Sequence, residues 1–310
     1  MAEIVFNPES DKCIFCASDQ LKKIRAKASD AKEDTNINII ECEDCCFAWQ
    51  YPFGRTEHES VTFFETAYGD NGDAQSTYFN SGRKSTIAAL ELDFIEGLPV
   101  SNKTLLDIGA GDGTFAEVAA ERDWMVTAVD PAIDENKSGR NQTIQVVRGK
   151  IDDIPSDKRY DVITLWDVIE HTDDPSEVIK NARERLKDGG WLIVETGNYK
   201  SENRVKRWIN HWMYQLDHRW YFSPGSMKML MEDKGFSKFI VSEKMLRPGW
   251  KGTIAAKMPP WIHLIKWVFK EPFKLTAHLE KYATMKKVKS WSMPGIGIFT
   301  IAGQYFRKNS

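Results

Sequence analysis

The sequence predicts an α/β fold: a mostly parallel sheet of seven strands with helices on both faces. Three observations predict it. From residue 103 onward, short runs rich in Val, Ile and Leu alternate with stretches of helical periodicity. Glycine pairs and clusters mark several of the changes from one to the other. The runs are apolar at consecutive positions, as in strands buried on both faces, and strand–helix alternation supplies the layers that bury them.

Each element follows in order. Thr104-Leu-Leu-Asp-Ile108 is the first strand, Gly109-Ala-Gly-Asp-Gly113 a glycine turn, and 114–122 a helix. The second strand, 125–129, ends in Asp130-Pro131; the third covers 143–148 and the fourth 160–166. A helix over 175–186 stops at Gly189-Gly190, before a fifth strand at 191–194. Ser223-Pro224 starts another helix, serine as N-cap and proline at the first helical position. It runs to Gly235, and 236–241 and 295–306 read as the last two strands. Ahead of the sheet, Ile87, Leu90, Phe94 and Ile95 recur at helical spacing over 82–98. Residues 56–80 read as irregular and 22–38 as a polar connector, while Phe47, Trp49, Tyr51 and Phe53 alternate as in a strand with an aromatic face. The expected division is a cysteine module at 1–55, connecting or lid helices at 56–100, the core at 101–245, a helical insertion at 246–293, and a closing strand at 294–310.

Composition narrows the function. The 310 residues carry 42 Lys+Arg and 45 Asp+Glu, a net charge of −3, without the basic excess of a protein built to hold nucleic acid. No apolar run approaches the ~18 residues of a membrane-spanning helix. The start, MAEIVFNPESDKC, lacks a basic segment followed by an apolar one, so a cytosolic protein is expected.

Ligands of open parallel sheets bind beyond the strands' carboxyl ends, where the glycine turn lies. Asp130 ends the second strand, where a carboxylate can accept hydrogen bonds from ribose hydroxyls. Nicotinamide-binding proteins share both features. The G-x-G-x-x-G fingerprint, however, wants glycine at 114, which is threonine. Asp107, just before the turn, would repel a pyrophosphate and suits an ammonium or sulfonium group. Trp166-Asp167-Val-Ile-Glu170-His171 brings ionisable groups to the same rim.

On the segments LLDIGAGDGTF, AVDPA, YDVITLWDVIEHTDDP and LKDGGWLIVETGN, in this order over roughly 103–245, the chain resembles the class I S-adenosylmethionine-dependent methyltransferases. The resemblance implies a Rossmann-like fold and S-adenosylmethionine as methyl donor. It implies that Asp107, Gly109 and Gly111 hold the methionine portion and that Asp130 binds the ribose. Ile151 and Asp152 would border the adenine, Trp166 and Asp167 would flank the other side, and Arg83 would pair with the methionine carboxylate.

A hydroxyl acceptor benefits from a base, and histidine suits that role near neutral pH. The candidates are His171, at the fourth-strand rim, and His218, in the loop before the Ser223 helix; either can instead fix its neighbours. Glu195 and Asn198, after the fifth strand, are within reach of an acceptor or structural.

Cys13-x2-Cys16 and Cys42-x2-Cys45 offer the four thiolates of a closed, structural zinc site. Cys46 is a possible substitute for Cys45. Methyltransferases of sugar and cell-surface glycan pathways often begin with such a module, so the resemblance implies O-methylation of a sugar or glycan. The alternatives are a methyltransferase of a non-sugar small molecule such as a quinone, a phenol or a natural product, and a non-catalytic cofactor-binding protein of the same fold; the cysteine module has the further alternative of binding a protein or nucleic-acid partner. Residues 257–289 hold eight lysines against Glu271 and Glu280, with Trp261, Trp267 and Phe269 interspersed. This pattern suits a helical lid or a peripheral contact with an anionic membrane surface.

Overall fold

The computed structural model describes residues 4–31, 33–68, 81–135, 143–201, 209, 211–242 and 298–307, with backbone alone at 57, 67–68 and 81–83. The expected insertion at 246–293, including the basic stretch 257–289, lies outside the described residues. No helix among the described residues is long and apolar enough to cross a membrane.

In chain order the elements are β1 (Leu21–Lys27), β2 (Asn36–Cys42), β3 (Ala48–Gln50), α1 (Glu57–Tyr68), α2 (Ser81–Glu96), β4 (Thr104–Ile108), α3 (Thr114–Ala120), β5 (Met125–Asp130), β6 (Ile144–Arg148), β7 (Tyr160–Trp166), α4 (Pro175–Glu184), β8 (Leu186–Gly197), β9 (Trp220–Tyr221), α5 (Pro224–Asp233), β10 (Phe236–Ser242) and β11 (Ile298–Tyr305). Seven strands form one sheet in the order β10-β11-β8-β7-β4-β5-β6. Neighbours from β8 to β6 are parallel, and β11 runs antiparallel to both β8 and β10. This is the expected Rossmann-like sheet. The chain order reverses at β4, which has β5 on one side and β7 on the other, and such a switch opens a crevice at the strands' carboxyl ends.

Side-chain alternation along the strands builds two cores. Leu106, Ile108, Ile163, Leu165, Leu192 and Val194 face Ile179 of α4 and Leu230 of α5. Leu105, Val162 and Ile193 face Leu92 and Ile95 of α2 and Phe115 of α3. Each fully buried side chain of this kind contributes about 1.5–3 kcal/mol. Asp174 caps α4, accepting from the Ser176 and Glu177 amides, with Pro175 in the first turn. Ser223 caps α5 as its sequence announces, and Gly235 (φ +87°) follows its end.

Three expectations change. The helix expected over 175–186 ends at Glu184, because Leu186 already pairs with Tyr160 in the sheet and Gly189-Gly190 lies within β8. Residues 22–38 contain most of a hairpin, β1 against β2, rather than a connector. Its Ile24, Ala26, Ile37 and Ile39 are buried against Tyr199, Tyr214 and Tyr221, remote in sequence. Residues 57–68 are helical. Thr56 and Glu59 form a reciprocal cap: the Thr56 amide donates to Glu59 (2.7 Å) and the Glu59 amide to the Thr56 hydroxyl (3.3 Å).

The second sheet, β1-β2-β3-β9, is antiparallel, and its last strand comes from residues 220–221 of the core. The cysteine region is therefore stitched into the larger fold. Phe6 packs on Trp220 (4.8 Å between ring centres) and Phe15 on Phe47 (4.4 Å), within the same core that covers one face of the parallel sheet.

Candidate active site

The glycine turn leaves β4 with Gly109 and Ala110 donating to the carbonyl of Val129 on β5 (2.8 and 3.1 Å). Gly109, Gly111 and Gly113 all have left-handed backbones, at φ +71°, +56° and +81°. One reason for glycine at 109 is steric: a Cβ there would lie 2.3 Å from Cγ2 of Val168, just beyond β7. Asp130 accepts from the Gly111 amide (3.0 Å) and the Ala132 amide (2.7 Å). Asp107 is buried and accepts from the Thr164 hydroxyl (2.8 Å). Burial, helped by repulsion from Asp130, pushes its carboxyl up to about 7. Arg83 stands in the first turn of α2, with its side chain outside the described residues. Its neighbour Lys84 pairs with Asp112 of the turn, which fixes the helix start against the crevice.

The other expected donor-site residues take different environments. Ile151 is buried in the core, and Asp152, exposed, accepts from Asn181 of α4 (2.7 Å). Trp166 meets Phe115 edge-on at 5.4 Å. Asp167 has a left-handed backbone (φ +52°), and its amide donates to the Glu195 carbonyl (3.1 Å). Glu195 is buried and accepts from Thr300 (2.8 Å), a structural role; Asn198, also buried, accepts from the Lys200 amide (3.0 Å).

The two histidines, 47 positions apart, come together. A turn of 3-10 helix over Ile169–His171 follows β7. The segment before β9 lies along it: the Arg219 amide donates to the Glu170 carbonyl (2.8 Å), and Trp220 Nε1 donates to the Thr172 carbonyl (2.7 Å). Arg219 pairs with Asp173, and the imidazole rings of His171 and His218 meet edge-to-face at 4.6 Å. His171 Nδ1 lies 3.2 Å from the Asp217 carbonyl oxygen and 3.6 Å from Asp217 Oδ2. Arg55 sits between Asp30 (2.9 Å) and Asp217 (3.7 Å). Burial and the nearby His171 lower the His218 pKa to about 4, so its ring is neutral at pH 7. Glu170 is held well above the usual carboxylate range by burial and by repulsion from Asp167 and Asp217. Over this cluster Phe64 of α1 stands edge-on to His171 (5.6 Å), and Glu65 pairs with Arg148 at the end of β6.

Glu170 and Asp217 each immediately precede a candidate histidine, a signal present in the sequence and readable once the two segments meet. Arg55, Phe64, Lys84 and Val168 enter the site only through the fold.

In the N-terminal region the sulfurs of Cys13, Cys16, Cys42 and Cys45 lie within 4.8 Å of one another. The shortest contacts are Cys13 to Cys45 (3.4 Å) and Cys16 to Cys42 (3.5 Å). Tetrahedral thiolates at ~2.3 Å from zinc stand roughly 3.8 Å apart, so the set fits the ion with little adjustment. Cys46, with a left-handed backbone (φ +59°), is outside this group.

Comparison with known proteins places this geometry. Residues 79–239 match a family model described as a methyltransferase domain. The mitochondrial ubiquinone biosynthesis O-methyltransferase of Candida albicans is 33% identical over 109 residues, 32% of this chain and 33% of that enzyme. The ubiquinone biosynthesis O-methyltransferase of Hydrogenovibrio crunogenus is 30% identical over 131 residues, 39% of this chain and 54% of that enzyme. The chain thus spans a third of the first relative and about half of the second. The crystal structure of a SAM-dependent methyltransferase from Archaeoglobus fulgidus shares the fold, with a TM-score of 0.50 at 18% identity, covering 78% of this chain and 98% of that one.

Proposed function

The chain belongs to the methyltransferase-domain family, and from that premise we propose that it O-methylates a small hydroxylated ring of the phenol or hydroquinone class, with S-adenosylmethionine as donor. One observation carries the reading. Val168 seats against Gly109, so the donor turn and the cluster Glu170, His171 and His218 occupy one crevice, at the ends of adjacent strands β4 and β7.

The residues fit the donor. Asp107 is a buried carboxylate repelled by Asp130, and a ligand carrying positive charge relieves that repulsion. Asp130 accepts one backbone hydrogen bond on each oxygen and keeps lone pairs for a diol. The backbone of Gly109 and Gly111 is bare of side chains on the same rim, and the surroundings of Ile151, Asp152, Trp166, Asp167 and Arg83 would border the remainder. The donor supplies an activated methyl carbon, so alignment of the acceptor accounts for much of the rate. Asp217 holds one side of the His171 ring, leaving the other ring nitrogen to take the acceptor's proton. His218, neutral and buried beside it, does not oppose the charge His171 then carries.

The acceptor class follows the relatives. Two proteins named O-methyltransferases of ubiquinone biosynthesis match the chain, and this favours a hydroxylated ring over the sugar or glycan expected from the cysteine module. Their match covers about a third of this chain, so the acceptor reading rests on the site's chemistry as well. We assign Cys13, Cys16, Cys42 and Cys45 to a structural zinc ion: four thiolates close the coordination sphere and leave no position for substrate.

The test is incubation with methyl-labelled S-adenosylmethionine and a panel of catechols, hydroquinones, nucleotide sugars and glycan extracts. Transfer to a catechol or hydroquinone is expected, with His171→Ala slower by about 10^2-fold or more. Transfer to the sugar panel alone refutes the acceptor class. Failure to bind S-adenosylmethionine in calorimetry refutes the reading as a whole.

A further inference from the structure

We propose that Glu170, His171 and His218 form a binding site for a divalent first-row cation such as Mn2+, a second metal site distinct from the four cysteines. The proposal rests on the reading of this crevice as the acceptor site.

The donor atoms are already gathered. One carboxylate oxygen of Glu170 and one ring nitrogen from each histidine lie within 4.8 Å of one another. Ligands bound at about 2.1 Å stand up to ~4.2 Å apart across an ion, so small side-chain rotations close the site. Two imidazoles and a carboxylate are an N/O donor set suited to such cations, with positions left open for water or substrate. The four cysteines offer sulfur alone, which discriminates the two sites.

The second observation is an unmet demand for positive charge. Glu170 is only 4% exposed; Thr196 hydrogen-bonds its carboxylate, yet Oε2 has no partner. Asp217, 2% exposed and against His171, likewise has Oδ1 without a partner. A buried polar atom left unsatisfied costs about 1–3 kcal/mol, more when charged, and native folds seldom retain such atoms without a use. The protein cations nearby do not meet the demand. Arg55 is held by Asp30 at 2.9 Å and reaches Asp217 only at 3.7 Å. Arg219 turns away to Asp173 and stacks over Phe53 at 4.7 Å. Two buried acidic side chains, Glu170 and Asp217, thus stand beside a pair of imidazoles in edge-to-face contact. A divalent ion would satisfy the unpartnered oxygen of Glu170 and take a lone pair from each imidazole.

In the metal-loaded protein the remaining ring nitrogen of His171 would bind the ion, and this replaces the role of base that the imidazole has in the metal-free reading. Held by Glu170, His171 and His218, the cation would supply Lewis-acid stabilisation to an acceptor oxygen as its O–H bond breaks, the electron pair staying on oxygen and the proton passing to water. An ortho-dihydroxy ring, with two adjacent oxygens for two open positions, is the acceptor such a site holds best.

The test titrates Mn2+ into the full-length, zinc-loaded protein, following free Mn2+ by electron paramagnetic resonance, with S-adenosylhomocysteine calorimetry run on the same samples. One saturable Mn2+ per chain is expected. Glu170→Gln and, separately, His218→Asn should weaken it at least tenfold while S-adenosylhomocysteine binding stays within twofold, which reports an intact fold. Absence of saturable Mn2+ binding to wild type at millimolar concentration overturns the proposal, as does binding unaffected by both substitutions. Methyl transfer undiminished after chelator treatment, together with no Mn2+ binding, removes the ion and leaves the proposed function standing. Loss of donor binding in wild type removes that function whatever the Mn2+ result.

Discussion

Replacing Gly109 by alanine puts two separable loads on the crevice. The residue sits at φ +71°, and an L side chain in that left-handed region costs roughly 1–2 kcal/mol. The new Cβ would also stand 2.3 Å from Cγ2, 2.9 Å from Cγ1 and 3.2 Å from Cβ of Val168. The first two separations are shorter than real carbon contacts, so Val168 or the turn must move, and overpacking of this kind costs about 1–3 kcal/mol. The single substitution should therefore destabilise the protein by about 2–5 kcal/mol and weaken S-adenosylhomocysteine binding, since the turn shifts. Val168→Ala removes the two γ carbons. In the double variant most of the steric load disappears, only the 3.2 Å approach of the two Cβ atoms being left, and the backbone load remains, so the two changes should couple by about 1–3 kcal/mol in the favourable direction. Urea melts of all four proteins, compared at constant slope, measure the cycle. A Gly109→Ala protein within about 1 kcal/mol of wild type, or a cycle with no coupling, refutes the close approach of turn and rim.

Other consequences can be checked in the same way. Because burial raises the Asp107 pKa from 3.8 to about 7, the native state holds its proton where the unfolded chain has released it. Stability is thus unpenalised below pH ~4, falls between pH ~4 and ~7, and has lost about 4 kcal/mol above that range, in the absence of donor. Asp107→Asn should flatten that part of a melting-versus-pH profile, and an unchanged slope contradicts the assignment. Asp130→Asn keeps the size but removes the charge and one acceptor oxygen, so donor affinity should drop roughly 10- to 100-fold in calorimetry. Cys45→Ser should abolish stoichiometric zinc by atomic absorption and lower the melting temperature, whereas Cys46→Ser should change neither; the reverse pattern would exchange the ligands.

The parallel sheet was readable because its instructions are local. The run Val162 to Leu165, apolar except for Thr164, has no solvent face, and the glycine turn, Asp130-Pro131 and Ser223-Pro224 mark where strands end and helices start. The α1 start is equally local: Thr56-x-x-Glu59 is a capping box, set in a stretch whose glycines and aspartates otherwise suggest irregular chain. The hairpin of β1 and β2 was not legible in the same way. Ile24, Ala26, Ile37 and Ile39 are too few to form a core, and the tyrosines that cover them lie more than 150 positions further on. The histidine cluster divides similarly. His171 and His218 stand out as residue types, but their pairing depends on the backbone bonds between residues 170–172 and 219–220.

By itself the sequence determined the class of fold, the glycine turn with Asp107 and Asp130 about it, and the four cysteines in two pairs, since each is set by short-range spacing and by chemistry carried in neighbouring residues. Only the tertiary structure decided that residues 220–221 complete the cysteine-bearing sheet, that Val168 makes Gly109 obligatory, and that Glu170 and two histidines converge beneath Phe64. These depend on contacts between segments remote in the chain. Such contacts exist only after the core has closed, and no local pattern encodes which remote partner will arrive.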